Sequence, residues 1–230
     1  MREIIVRTLK EVEVPVEALH ELRKNAFAQW EEVGLDASEV HMSVQSFGRY
    51  IKDKVVFVAH DANTGELLAM HTFRANKRKH RAAGANLAVS PTAKHEGIGS
   101  RMLEAEVERF RKAGYRYLTG ATGIPAVWSV NWHLKNGYYI TGYKRNEKKN
   151  YASYTFRKPI ALDIRHHPMD IFWTRSIAPL TARVHYIASY IVTCWVKNRS
   201  GKLTPLGRVA RSAKLRVESL KFRGSASCAR

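Results

Sequence analysis

The sequence predicts an α+β protein of three layers, helix on sheet on helix, followed by a basic helical extension. Three observations lead there. Short β-branched or alternating segments are interleaved with amphipathic helical stretches, a turn with two glycines joins one of those strands to a helix, and the charge changes abruptly near residue 158.

Taken in order, residues 3–9 are β-branched and alternating, as a first strand would be. Val16, Leu19, Leu22, Ala26 and Trp30 recur at helical spacing, so residues 15–32 read as an amphipathic helix with Pro15 near its start. A second, shorter helix is expected over residues 37–48. Residues 55–59 and 67–73 form a hairpin around the turn of residues 61–65, and a further turn at 76–81 leads to a strand at 83–89. That turn holds Lys77, Arg78, Lys79, His80 and Arg81. A solvated hairpin tip and a contact to an acidic substrate or a phosphate are both open for it.

The next segment is the most informative. Val89 ends the strand, Ser90-Pro91-Thr92-Ala93 turn the chain, and Lys94-His95-Glu96-Gly97-Ile98-Gly99-Ser100 open a helix. Gly97 and Gly99 let an anion approach the backbone, and the unpaired N–H groups of a first helical turn point at it. Lys94, His95 and Arg101 add positive charge to the helix N-terminus. A dinucleotide fingerprint would need a third glycine where Met102 stands, and no G-x-x-x-x-G-K-[ST] occurs, so both of those phosphate loops are excluded. In the helix that follows, Ile98, Met102, Ala105 and Phe110 are expected to face the core, with Glu104, Glu106 and Glu108 in solvent. A strand at 115–119, a helix from Pro125 to Asn136, and strands at 138–142 and 151–156 complete the order.

The glycine turn resembles the pyrophosphate loop of the GNAT superfamily of acyl-coenzyme A-dependent N-acyltransferases, [Q/R]-x-x-G-x-[G/A], with Lys94 in the Gln/Arg place. A second segment, Ser129 to Tyr138, resembles that family's A-x-x-x-Y-x-x-x-G-F. Lys135, Gly137 and Tyr138 fall on matching positions, and His133 stands where relatives often carry the tyrosine that protonates the departing thiolate. The resemblance covers residues 3 to about 158. It implies a mixed, mostly antiparallel sheet splayed at the acyl-coenzyme A site, with helices on both faces. It also implies that the backbone of Leu87, Ala88 and Val89 pairs with the pantetheine amides, aided by a strand bulge. The amides of His95, Glu96, Gly97, Ile98, Gly99 and Ser100 would then hold the pyrophosphate. Acetyl-coenzyme A is the implied cosubstrate, and no metal is implied.

Acyl transfer from a thioester needs an attacking amine, stabilisation of the oxyanion and a proton for the sulfur. An imidazolium can supply that proton, so His133 is the candidate general acid, with Tyr143 and His71 as alternatives. The pattern departs from the family in two places. Ala126 stands where relatives often have asparagine, and residues 83–89 hold no Glu or His for a general base.

The formal net charge is +19. Residues 1–156 hold 24 Lys/Arg against 17 Asp/Glu, and residues 157–230 hold 15 against 3, so the excess is concentrated in the last third. The expected division is therefore an acyltransferase domain, 1–158, and a basic helical extension, 159–230. Apolar stripes in 177–195 and 206–220 suit packing on the domain, a homodimer contact, or an anionic membrane surface; nucleic acid is less favoured, because aromatic residues are sparse there. Cys194 and Cys228 form no metal-ligand spacing, and a cytoplasmic location is expected. The leading expectation is an N-acetyltransferase acting on a primary amine by direct attack. The alternative is a noncatalytic acyl-coenzyme A-binding module whose basic tail docks on a membrane or nucleic acid.

Overall fold

A computed structural model describes residues 2–145 and 149–163. The chain order is β1 (Ile4–Thr8), α1 (Val16–Glu32), α2 (Ser38–His41), α3 (Val44–Ile51), β2 (Val55–Asp61), β3 (Leu67–Asn76), β4 (Arg81–Val89), α4 (Ile98–Lys112), β5 (Tyr117–Gly123), α5 (Val127–Lys135), β6 (Tyr139–Arg145) and β7 (Ala152–Pro159). All seven strands lie in one sheet, ordered β1-β2-β3-β4-β5-β7-β6. Every neighbouring pair is antiparallel except β4 and β5, which run parallel. The helices of α1 and α3 cover one face, where Leu19, Leu22, Phe47, Val56, Val58, Met70 and Ala88 form a core cluster. The opposite face carries α4, whose Phe110 packs on Phe57 and Phe73, and α5, whose His133 stacks on Phe156 of β7.

The single helix expected over 37–48 is two. Ser43 breaks it, because its backbone is extended and its hydroxyl accepts the N–H of Ser46 to cap α3. The strand expected at 115–119 begins two residues later. Tyr115 instead closes α4, its N–H bonding the carbonyl of Phe110 while its ring packs edge-on against that of Phe110. Glu106 is the largest departure. Expected in solvent, it is fully buried, and it sits at the centre of the α4 face that carries Ile98, Met102 and Phe110.

Among the described residues, no helix is long and apolar enough to cross a membrane. No group of three or more His, Cys, Asp or Glu there could hold a metal. The two helical stripes expected in the basic extension lie outside the described residues.

Candidate active site

The parallel pair β4 and β5 is joined over only three residues, Arg81 with Tyr117, Ala82 with Leu118 and Ala83 with Thr119. Beyond Ala83 and Thr119 the two strands part, so residues 84–89 of β4 have no ladder partner on that side. A bulge in β4 accompanies the parting. The pairing of β3 with β4 slips between Met70 and Thr72, and Asn86 takes up the extra residue with a positive φ of 53°. Backbone N–H and C=O groups of β4 therefore face a slot in the middle of the sheet, available to an extended ligand that can pair like a strand.

Where β4 ends, the glycine loop begins. Gly97 caps α4 in the left-handed region, φ 75°, with His95 also left-handed at 68°. Such a run turns successive N–H groups into one concavity. The N–H groups of Ser100 and Arg101 are already bonded to Gly97 O at 3.1 Å, which leaves those of His95 to Gly99 for an anion. The loop is anchored on both sides. Lys94 Nζ donates to Gln29 Oε1 of α1 at 2.8 Å, while Arg101 donates to the carbonyl of Arg2 at 2.6 Å. Glu96 pairs with Arg2 at 3.4 Å. Gly99 faces α5 closely, since a Cβ there would stand 3.3 Å from Trp132 Nε1.

The second motif has a geometric explanation. In α5, Gly137 follows the C-cap with φ 76°, its N–H bonded to Leu134 O, and the N–H of Tyr138 bonds to His133 O at 3.0 Å. This is a glycine-terminated helix in which the residue two past the cap contacts the residue three before it. His133 and Tyr138 are that pair, with ring centroids 5.1 Å apart. The four-residue spacing from His133 to Gly137 is thus the spacing needed to end the helix and fix the His133 backbone.

The His133 ring is partly buried, stacked at 4.5 Å on Phe156. Its Nδ1 donates to Ser129 O at 2.7 Å, which fixes the proton on Nδ1 and leaves Nε2 as an acceptor. Burial pulls its pKa down to about 4, opposed by the Ser129 carbonyl and assisted by the nearby His71. With Nδ1 turned to the Ser129 carbonyl and the pKa lowered, the neutral ring presents Nε2 as an acceptor. Nε2 lies over Gly120, 3.4 Å from where a Cβ would be.

His71 stands on β3 beside the split, on the same face as α4. Tyr143 lies on β6 with β7 between it and β5, so it is not gathered with the two histidines. Of the coenzyme-binding residues expected from sequence, Leu87 and Val89 are partly exposed along the slot, while Ala88 points into the α1 core. A groove of about 800 Å³ continues from Ser100 between α4 and α5, and is lined by Lys112, Lys135, Asn136 and Lys158 among others. The basic turn at residues 77–81 lies at the opposite end of β4 from the glycine loop, about 25 Å away at the usual strand rise. It cannot share a phosphate with that loop.

A parallel pair split after three paired residues, with a glycine-capped helix start at its open end, has room and backbone donors for an elongated phosphate-bearing ligand. Residues 16–138 match the family model of the acetyltransferase (GNAT) family. The chain belongs to that family, whose chemistry is acyl transfer and whose members generally use acetyl-coenzyme A. Among solved structures, the fold is similar to the ribosomal-protein-S18-alanine N-acetyltransferase of Escherichia coli, with 15% identity, TM-score 0.56, and coverage of 72% of this chain and 99% of the other. It is also similar to a GNAT-family acetyltransferase of Streptococcus pneumoniae, with 16% identity, TM-score 0.52, and coverage of 69% and 100%. A GCN5-related N-acetyltransferase of Kribbella flavida matches with 15% identity, TM-score 0.54, and coverage of 68% and 97%. At these identities the likeness is one of fold. Comparison with curated proteins gives no match.

Proposed function

We propose that this chain is an N-acetyltransferase that moves a short acyl group from acyl-coenzyme A to a primary amine by direct attack in a ternary complex. The observation that carries the reading is the split between β4 and β5 after Ala83 and Thr119, opening directly onto the glycine loop. Pantetheine amides pair with the free edge of β4, and the pyrophosphate rests on the N–H groups of His95 to Gly99. The groove beyond Ser100, where Arg111, Lys112, Lys135 and Lys158 outnumber Glu104 and Glu108, suits the phosphate-bearing nucleotide end.

The acceptor enters from the α1–α3 face. Ala85 and Ala121, on either side of the split, are exposed there although they lie mid-sheet. The amine nitrogen attacks the thioester carbonyl, the C–N bond forms, and the C–S bond breaks. His133 Nε2, a neutral acceptor on the opposite face at the vertex of the slot, takes the proton released by nitrogen through water in the slot, and the sulfur gains one.

The test is thiol release from acetyl-coenzyme A across a panel of primary amines, with the acylated product confirmed by mass. Transfer to at least one amine is expected. Coenzyme binding with no transfer to any amine would favour the noncatalytic module.

A further inference from the structure

Glu106 is the least expected residue in the fold. It is a carboxylate at 0% exposure, and both of its oxygens lie 3.0 Å from Nδ1 of His71. Burial pushes the Glu106 pKa up, and His71 opposes the rise. A buried carboxylate with no counter-charge is costly, so the pair retains a proton and carries no net charge. With Nδ1 engaged by the carboxylate, the remaining ring nitrogen, Nε2, points at Gly84.

Gly84 is the first residue of β4 beyond the last paired one, Ala83. Gly120, the first residue of β5 beyond its pairing with β4, lies beneath His133 in the same way. The two imidazoles therefore flank the vertex of the slot on one face of the sheet, each over a glycine. The titratable groups around His71 are Glu106 from α4, His133 from α5 and Tyr138 from the segment after α5. Its strand neighbours Phe57, Phe73 and Gly84 carry none. Charge on His71 is felt at His133 and helps keep that ring neutral. Tyr138 is buried and held protonated, with Glu106 adding to the effect.

We infer that Glu106 and His71 form the proton-donating half of the site, His71 Nε2 giving its proton to the departing sulfur and Glu106 acting as the positioning residue behind it. The inference rests on the acyltransferase reading above and assigns what that reading leaves open, the source of the sulfur's proton. As the C–S bond breaks, the electron pair goes to sulfur and the proton moves from Nε2 to it. His133 meanwhile holds the proton lost by the amine. Return of that proton to His71 through water restores both rings, so one proton leaves nitrogen and one reaches sulfur per turnover. A separate donor and acceptor is what two rings with opposed environments provide.

The test uses the full chain, acetyl-coenzyme A and an amine accepted by the wild type. Glu106→Gln is expected to lower kcat by about 10- to 100-fold, with the KM for acetyl-coenzyme A little changed. His71→Gln should match it, and the double variant should be no worse than either. Glu106→Asp should recover part of the loss and shift the basic limb of the pH profile. Thermal midpoints are measured alongside. Unchanged kcat in Glu106→Gln, or a loss that follows only the folded fraction, overturns the inference while leaving the acyltransferase reading intact. A second readout needs no acceptor, namely a downfield His71 Nδ1–H proton resonance in the free protein that Glu106→Gln removes. If the wild type transfers to no amine, the acyltransferase reading falls. Absence of that resonance would overturn the buried pair itself.

Discussion

A Cβ on Gly84 would stand 2.8 Å from Nε2 of His71, closer than side-chain carbons approach. The ring cannot simply swing aside, because Glu106 holds its other nitrogen and Phe73 packs against it at 4.2 Å. The missing side chain at Gly84 and the position of His71 are therefore one feature. Gly84→Ala is expected to destabilise the fold by about 1–3 kcal/mol, as overpacking does. It should also lower kcat, since it displaces the ring at the vertex. Urea unfolding together with steady-state rates checks both, and a variant of wild-type stability and activity would show that the vertex is looser than the packing implies.

The depressed His133 pKa makes stability depend on pH in a stated direction. The folded value is about 4 against an ordinary 6.5, so between these the unfolded chain binds more protons than the folded one. The contribution is fully present above pH 6.5 and is lost as the pH falls towards 4. Allowing for partial exposure, its size is on the order of 2 kcal/mol. His133→Phe keeps the stack on Phe156 and should flatten this part of the curve. Urea midpoints between pH 4 and 7 for the two proteins give the answer, and parallel curves would mean that His133 is not the group responsible.

Gly97 tests the anion loop. Its φ of 75° is strained for any residue with a Cβ, although a Cβ there would meet nothing within 4 Å. Gly97→Ala therefore isolates the backbone cost, about 1 kcal/mol. Gly97→Asp adds negative charge beside the N–H groups of His95 to Gly99. Calorimetric titration with acetyl-coenzyme A should show a modest loss for alanine and a loss of about tenfold or more for aspartate. Equal affinity in all three would move the pyrophosphate off this loop.

The order of elements was legible because each strand and helix carries its own period, and the glycine turn declared itself through its place between Val89 and Ile98. The spacing from His133 to Gly137 was legible too, and its cause is the way α5 ends. Glu106 runs against its residue type, since a carboxylate is expected in solvent and this one is buried. Its position, four residues from both Met102 and Phe110, places it mid-stripe, and only the partner on β3 explains why a carboxylate can stay there. The break at Ser43 and the late start of β5 at Tyr117 turn on single hydrogen bonds, from Ser46 N–H to the Ser43 hydroxyl and from Tyr115 N–H to the Phe110 carbonyl, which no hydrophobic period encodes. The split itself has no local signal. It is accompanied by a bulge whose extra residue, Asn86, is seen only against β3.

The two faces of the slot should separate donor from acceptor. His133 lies over Gly120 on the α4–α5 face, so alternation along β5 directs Ala121 to the opposite face, where it is exposed in mid-sheet. Its backbone pairs with Thr155 of β7 on the side away from β4, so a larger side chain there leaves the free edge of β4 and the glycine loop untouched. Ala121→Phe is accordingly expected to raise the KM for the amine about tenfold or more, with acetyl-coenzyme A affinity within about twofold of the wild type, because lost uniform binding of one substrate appears in its own KM. Steady-state kinetics with each substrate varied in turn, plus direct titration of the coenzyme, distinguish the two effects. If Ala121→Phe weakened the coenzyme and spared the amine, the acceptor would have to approach from the α4–α5 side, where His133 Nε2 would meet the reacting nitrogen directly rather than through the slot.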